Sequence, residues 1–222
     1  MRKVIVLLLI GLFQVGLLAG LVGAETLVFS DDFDSFDTDR WSKGAHNLGR
    51  SHLDPNNVDV ADGNLTITLP ANTWDGGEIA SNDLYGYGSY SARIKVPHAP
   101  SSITGFFLYQ PPDYASEIDI EIYNDSPQKT VIYNTYARGF NHTQKMSLPF
   151  DPTDGFHEYR FDYAPRFVRF YADGQLMKTW TRKLPRNPMN LYVNTWFPAW
   201  LEGQQPNTDE FVLVDQIQYT GR

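Results

Sequence analysis

Beyond residue 24 the sequence contains no convincing helical pattern, only short runs in which apolar and polar residues alternate. A period of two is the signature of a half-buried strand. Such runs occur at Leu65–Leu69, Ser89–Val96, Gly105–Tyr109, Glu117–Tyr123 and Thr130–Tyr136. They recur at His157–Tyr163, Phe167–Ala172, Gln175–Trp180, Leu191–Trp196 and Phe211–Tyr219. Asp62-Gly63-Asn64 and Asp173-Gly174 are hairpin-type turns. The pattern predicts an all-β fold, a sandwich or barrel of antiparallel sheets. With no internal repeat, low-complexity segment or linker, residues 25–222 read as one domain.

Residues 1–24 read as a secretory signal peptide: Arg2 and Lys3 precede an apolar stretch from Val4 to Leu21, and Val22-Gly23-Ala24 supplies small residues for cleavage. The apolar stretch is nearly long enough for a membrane anchor, the alternative reading. The expectation is a secreted protein with no membrane association after cleavage. The chain has no Cys, which excludes disulfides, thiol catalysis, thiolate metal sites and lipoprotein acylation. Stability must therefore come from the core, and a chain of this length can bury enough surface to supply it. Removing the signal leaves 16 basic residues against 26 acidic, a net charge of −10. That balance argues against nucleic acid, anionic membrane or an acidic polysaccharide as partner. A neutral glycan fits better, and the 5 Trp, 13 Tyr and 14 Phe offer flat surfaces for the apolar faces of sugar rings.

One run carries more chemistry than the others. In Ser116-Glu117-Ile118-Asp119-Ile120-Glu121-Ile122 the isoleucines share one face and the three carboxylates the other. Like charges on neighbouring same-face positions repel and separate pKa values, the condition that acid and nucleophile chemistry requires. Taken alone, the run is equally an acidic solvated face of an ordinary strand.

Further stretches decide between these readings. Asp154–Tyr163 continuing through Phe170-Tyr171-Ala172-Asp173-Gly174, Tyr85–Tyr90 with Ala92-Arg93-Ile94-Lys95, and Asn194-Thr195-Trp196 accompany Glu117–Glu121 in order along the chain. Together they resemble glycoside hydrolase family 16 over nearly the whole mature chain. The resemblance implies a concanavalin-like jelly roll whose concave sheet forms a carbohydrate cleft. It implies Glu117 as nucleophile, Glu121 as general acid/base, and Asp119 between them holding one proton within the trio. No residue is inserted between Ile120 and Glu121, which resembles the branch without a bulge in the catalytic strand, that of lichenases and xyloglucan transferases. Four strand steps place the two Glu Cα atoms about 13 Å apart. Side chains leaning toward one sugar can close that to the ~5–5.5 Å of a retaining pair. Spacing alone leaves the wider inverting geometry open; the resemblance implies retention. Glu121 is expected to be protonated in the free enzyme, its pKa raised by the charges of Glu117 and Asp119.

The resemblance also implies cleft roles for Glu78 on the donor side, for Phe107, Tyr109, Asn134 and Tyr136, and for Asn194, Trp196 and Trp200. It implies a structural calcium held by Asp215 with carbonyls of Gly63 and Asp32; an ordinary turn Asp is the alternative for Asp215. No cofactor is expected for the chemistry, and the protein is expected to be a monomer. Two departures from lichenase-like members stand out. Ala115-Ser116 replaces their Trp-Asp, and Ala80 replaces an Arg that they often carry. Both weaken the inference of strict lichenase specificity.

The scattered His residues form no His-Glu-x-x-His, and no Gly-x-Ser-x-Gly is present, which disfavours zinc and serine hydrolases of those types. A non-catalytic lectin on the same fold predicts loss of Glu117 or Glu121, yet both are present. The expectation is a secreted retaining endo-β-glucanase acting on mixed-linkage β-1,3-1,4-glucan or β-1,3-glucan. A transglycosylase remodelling cell-wall glucan or xyloglucan is the nearer alternative.

Overall fold

The computed structural model describes residues 26–125 and 127–222. The signal peptide expected over residues 1–24 lies outside them. The predicted all-β architecture is present: two large antiparallel sheets face each other, and among the described residues the one short helical element is a 3-10 turn at Pro55–Asn57. The front sheet runs, edge to edge, through Phe140–Ser147, Thr130–Ala137, Ser116–Tyr123, Ile103–Gln110, Asn190–Trp196, Gly77–Ser81 and Trp41–Lys43. The back sheet orders Gln175–Trp180, Phe167–Ala172, His157–Ala164, Gly88–Lys95, Glu210–Gly221, Asn64–Leu69 and Val58–Ala61, with Thr26–Asp31 also paired to Glu210–Gly221. A small hairpin, His46–Leu48 with Ser51–Leu53, is a separate two-stranded unit tied to the front sheet through a bridge between Leu53 and Gly76.

Alternation places the core. Ile118, Ile120 and Ile122 are fully buried on the inner face of the front sheet. Between the sheets Phe106 meets Phe161 at 5.2 Å and Tyr133 meets Phe170 at 4.9 Å, ring centre to ring centre. The Asp62-Gly63 and Asp173-Gly174 hairpins form as predicted, with positive φ at both residues of each turn. Arg138-Gly139 makes a third hairpin of the same kind.

The strands that alternation did not reveal fail to alternate for physical reasons. Gly77–Ser81 buries nearly every residue, so it offers no polar face. Phe140–Ser147 is an edge strand that exposes most of its residues, and its polar composition suits an edge that must not pair with other chains. The His157 region, prominent in the family resemblance, lies on the back sheet. There His157 is clamped between Asp173 (2.8 Å) and Asp154 (3.0 Å), while Tyr159, Phe161 and Tyr163 fill the core.

Replacing Ile120 with Ala should cost about 2–5 kcal/mol, because the site is sealed between two sheets and cannot collapse. Chemical denaturation would measure it, and a loss under about 1 kcal/mol would contradict this packing.

Candidate active site

The strand Ser116–Tyr123 pairs without a register shift against both neighbours, so no bulge interrupts it. This regularity fixes the surroundings of each carboxylate. Glu117 stands between Tyr109 and Tyr136, Asp119 between Phe107 and Asn134, and Glu121 between Gly105 and Ile132. All three carboxylates line one cleft of about 890 Å3 that crosses the front sheet. Every cleft residue expected from the sequence lines it too: Glu78, Phe107, Tyr109, Asn134, Tyr136, Asn194, Trp196 and Trp200.

The carboxylates are set by burial more than by repulsion. Withdrawal from water is the largest influence on all three. It pushes Glu117 up to about 7, reinforced by the charges of Glu121 and Asp113 and opposed by a hydrogen bond with Asp119. Glu121 is also pushed up to about 7, opposed by the Asn134 amide, which donates to its Oε2 at 2.9 Å. Asp119, only 4 % exposed, is raised well above the ordinary carboxylate range, by burial first and then by the charges of both glutamates. A protonated Asp119 can donate to Glu117, and that bond stabilises the Glu117 carboxylate. The expected cause for Glu121 is therefore corrected: desolvation raises it, and it is not separated from Glu117 as repulsion between them would require.

On one side of the trio, Glu78 is buried and accepts a hydrogen bond from Asn194 Nδ2 at 3.1 Å, with His46 Nδ1 3.9 Å from its other oxygen. Burial raises its pKa as well. Phe107 stacks on Tyr192 with ring centres 4.9 Å apart and planes 11° from parallel. Asp119 Oδ1, Asn134 Oδ1 and Asn194 Oδ1 are buried without a hydrogen-bond partner. Trp196 packs closely over Gly49, where a Cβ would fall 2.6 Å from the indole and where φ is +58°. Trp200 is 55 % exposed on a loop tied down by Arg50, whose Nη2 donates to the Leu201 carbonyl at 2.8 Å.

Sequence reasoning missed Gly105, Tyr192, Asp113, Tyr114 and the His46–Leu48 strand, all at the cleft. Tyr192 was within reach, since it shares strand parity with Asn194 and Trp196. Gly105 carries no chemistry to read. Its role is spatial: a Cβ there would stand 2.7 Å from Asn194 Oδ1 and 3.2 Å from the Phe107 ring. Ala80, the short residue at one noted departure, also lines the cleft.

A family model for Glycosyl hydrolases family 16 matches residues 49–211. This chain belongs to glycosyl hydrolase family 16. The family 16 hydrolase is 32% identical over 239 residues to a beta-glucanase of Bacillus subtilis, a match covering 99% of this chain and 98% of that one. Its fold superposes on the solved beta-glucanase of Bacillus licheniformis with a TM-score of 0.80 at 29% identity, covering 90% of this chain and 100% of that one. A prokaryotic beta-1,3-1,4-glucanase (lichenase) from a mouse hindgut metagenome gives 0.78 at 25% identity, with 87% and 98% covered.

The residues suggested for calcium lie away from the cleft. Asp215 Oδ2 is paired with the Arg93 guanidinium, and its Oδ1 is buried with no partner. Asp32 adds negative charge nearby, and its side chain accepts from Gln216 at 2.7 Å. Gly63 sits in the Asp62-Gly63 hairpin turn. Among the described residues no group of three or more His, Cys, Asp or Glu is assembled as a metal site. The donor set fits a cation in one respect, the hard oxygen left at Asp215 Oδ1.

The raised carboxylates make stability depend on pH with a definite sign. Between about 4.5 and 7 the folded protein holds a proton on Glu121 that the unfolded chain has released. Stability from this group therefore falls as pH rises through that window. Glu121→Gln should melt higher than the parent at pH 8, with the gap closing below pH 4.5. A pH series of thermal melts reads this directly, and equal melting temperatures at pH 8 would refute it.

Proposed function

We propose that this family 16 hydrolase is a secreted, retaining endo-β-glucanase acting on a neutral β-glucan. Mixed-linkage β-1,3-1,4-glucan is the first candidate. The observation that carries the reading is the uninterrupted strand that presents Glu117, Asp119 and Glu121 together on the floor of a long cleft. The names of the relatives, beta-glucanase and beta-1,3-1,4-glucanase, support the substrate class.

Glu117 attacks the anomeric carbon while Glu121 gives its proton to the departing glycosidic oxygen, leaving a covalent glycosyl-enzyme. Asp119 holds its proton toward Glu117 and so favours the ionised nucleophile beside a second acid. Once Glu117 is glycosylated its charge is lost. Glu121 then takes a proton from incoming water, which attacks the same carbon and releases product with retained configuration. Asn134 holds the Glu121 carboxyl through both steps. Glu78 and Asn194 anchor sugar hydroxyls on the donor side. The cleft aromatics Phe107, Tyr109, Tyr136, Trp196 and Trp200 carry the ring faces. Cleavage is internal because the cleft runs across the front sheet from the strand Phe140–Ser147 to the strand Gly77–Ser81.

Glu117→Ala should lower turnover of mixed-linkage β-glucan by at least about 10³-fold with the fold intact by circular dichroism. Azide should restore cleavage, with product of inverted configuration. Retention of most activity without azide would remove Glu117 from the mechanism. A structural calcium at Asp215, with carbonyls of Gly63 and Asp32, would stabilise the fold without entering the chemistry. Adding calcium to the chelated protein should then raise its melting temperature, and an unchanged melt would exclude the site.

A further inference from the structure

The loop Pro111–Ala115 joins two central strands of the front sheet at the Glu117 end of the cleft. Its Tyr114 combines two unfavourable features. The ring is 61 % exposed, among the most exposed large apolar side chains of the described residues. Its backbone is left-handed, with φ at +64°, a conformation that a residue with a Cβ adopts under steric strain that Gly escapes. The loop is nevertheless held firmly. Ala115 N donates to Pro112 O at 3.0 Å, Gly139 N to Tyr114 O at 3.1 Å, and Arg138 N to Ala115 O at 2.9 Å. These bonds latch the loop onto the neighbouring Arg138-Gly139 hairpin and hold the ring 5.3 Å from Tyr136, tilted by 56°. Asp113, next to it, accepts a hydrogen bond from the Tyr109 hydroxyl at 2.5 Å. Strain and apolar exposure retained together at a cleft mark a surface shaped for a ligand.

Its side of the cleft can be read from the strand order. Glu78 lies three strands from the carboxylates in one direction, whereas Tyr136, and Tyr114 above it, lie immediately on the other. We propose that Tyr114 is a specificity-determining residue whose ring carries the sugar on the leaving-group side of the scissile bond, opposite Glu78. This rests on the endo-β-glucanase reading, in which Glu78 marks the donor side. The chemistry recognised is the apolar face of a neutral pyranose, with Asp113 placed to accept from its hydroxyls. Because the same surface holds an incoming acceptor sugar after the glycosyl-enzyme forms, Tyr114 also governs how often a sugar replaces water.

The test compares two substrates and two variants. One substrate is polymeric mixed-linkage β-glucan; the other is a nitrophenyl β-oligoglucoside, which places no sugar on the leaving side. Tyr114→Ala should lower kcat/KM on the polymer about 10-fold, the scale of one lost stacking contact. It should leave the aryl substrate within about 2-fold and lower the ratio of transfer to hydrolysis products when cello-oligosaccharide acceptors are added. Tyr114→Gly relieves the backbone strain and should melt no lower than the parent while losing polymer activity equally. That pairing separates ligand contact from support of the fold. Equal losses on both substrates, or an unchanged polymer rate, would overturn the platform in an active enzyme. A parent that cleaves neither substrate would overturn the functional reading, and the platform with it.

Discussion

The site depends on one constraint: the strand from Ser116 to Tyr123 is regular, so its side chains divide strictly between two environments. Three isoleucines lock it to the core, and that packing leaves the carboxylates no freedom over where they point. The cleft walls then remove much of the water that would hold them charged. The result is a cluster of acids that favours carrying fewer than three charges near neutral pH. Asp119, the deepest of the three, is the most reluctant to ionise. Packing on one face of a strand thus sets proton occupancy on the other.

A second property of the cleft is that its polar groups are fixed in advance. Its floor holds carbonyl and carboxyl oxygens that receive no hydrogen bond from the protein. Gly105 leaves a gap between Glu121 and Asn194 that a methyl group would close. A cleft whose side chains are already held in place loses little conformational entropy when it receives a ligand. Donors such as Asn134 and Asn194 are already committed to Glu121 and Glu78, so those carboxylates are oriented before ligand arrives.

Much of this was legible in the sequence because it follows from periodicity. The two-residue pattern located the central strands, the Asp-Gly turns located two hairpins, and strand parity put Glu117, Asp119 and Glu121 on one face. What the sequence could not reveal depends on neighbours distant along the chain. The desolvation of Glu121 is set by the walls of the assembled cleft and not by the adjacent charges. Gly77–Ser81, buried on nearly every side, gave no alternation although it bears Glu78. Tyr114 reads as an ordinary loop residue until its left-handed backbone and its position beside Tyr136 are seen. Ala115-Ser116 marked a place where the family pattern lapses, and only the fold shows an aromatic ring one residue earlier at the cleft.

The strand Glu210–Gly221 sits inside the back sheet, between Gly88–Lys95 and Asn64–Leu69, and also holds Thr26–Asp31. None of those three strands has a complete set of partners until residues 210–221 exist. During synthesis the earlier segments can form local hairpins but cannot close the sandwich, since long-range pairing must wait for the chain to emerge. The back sheet is thereby completed last. Until those residues emerge, the open edges of the back sheet are accessible to chaperones and proteases.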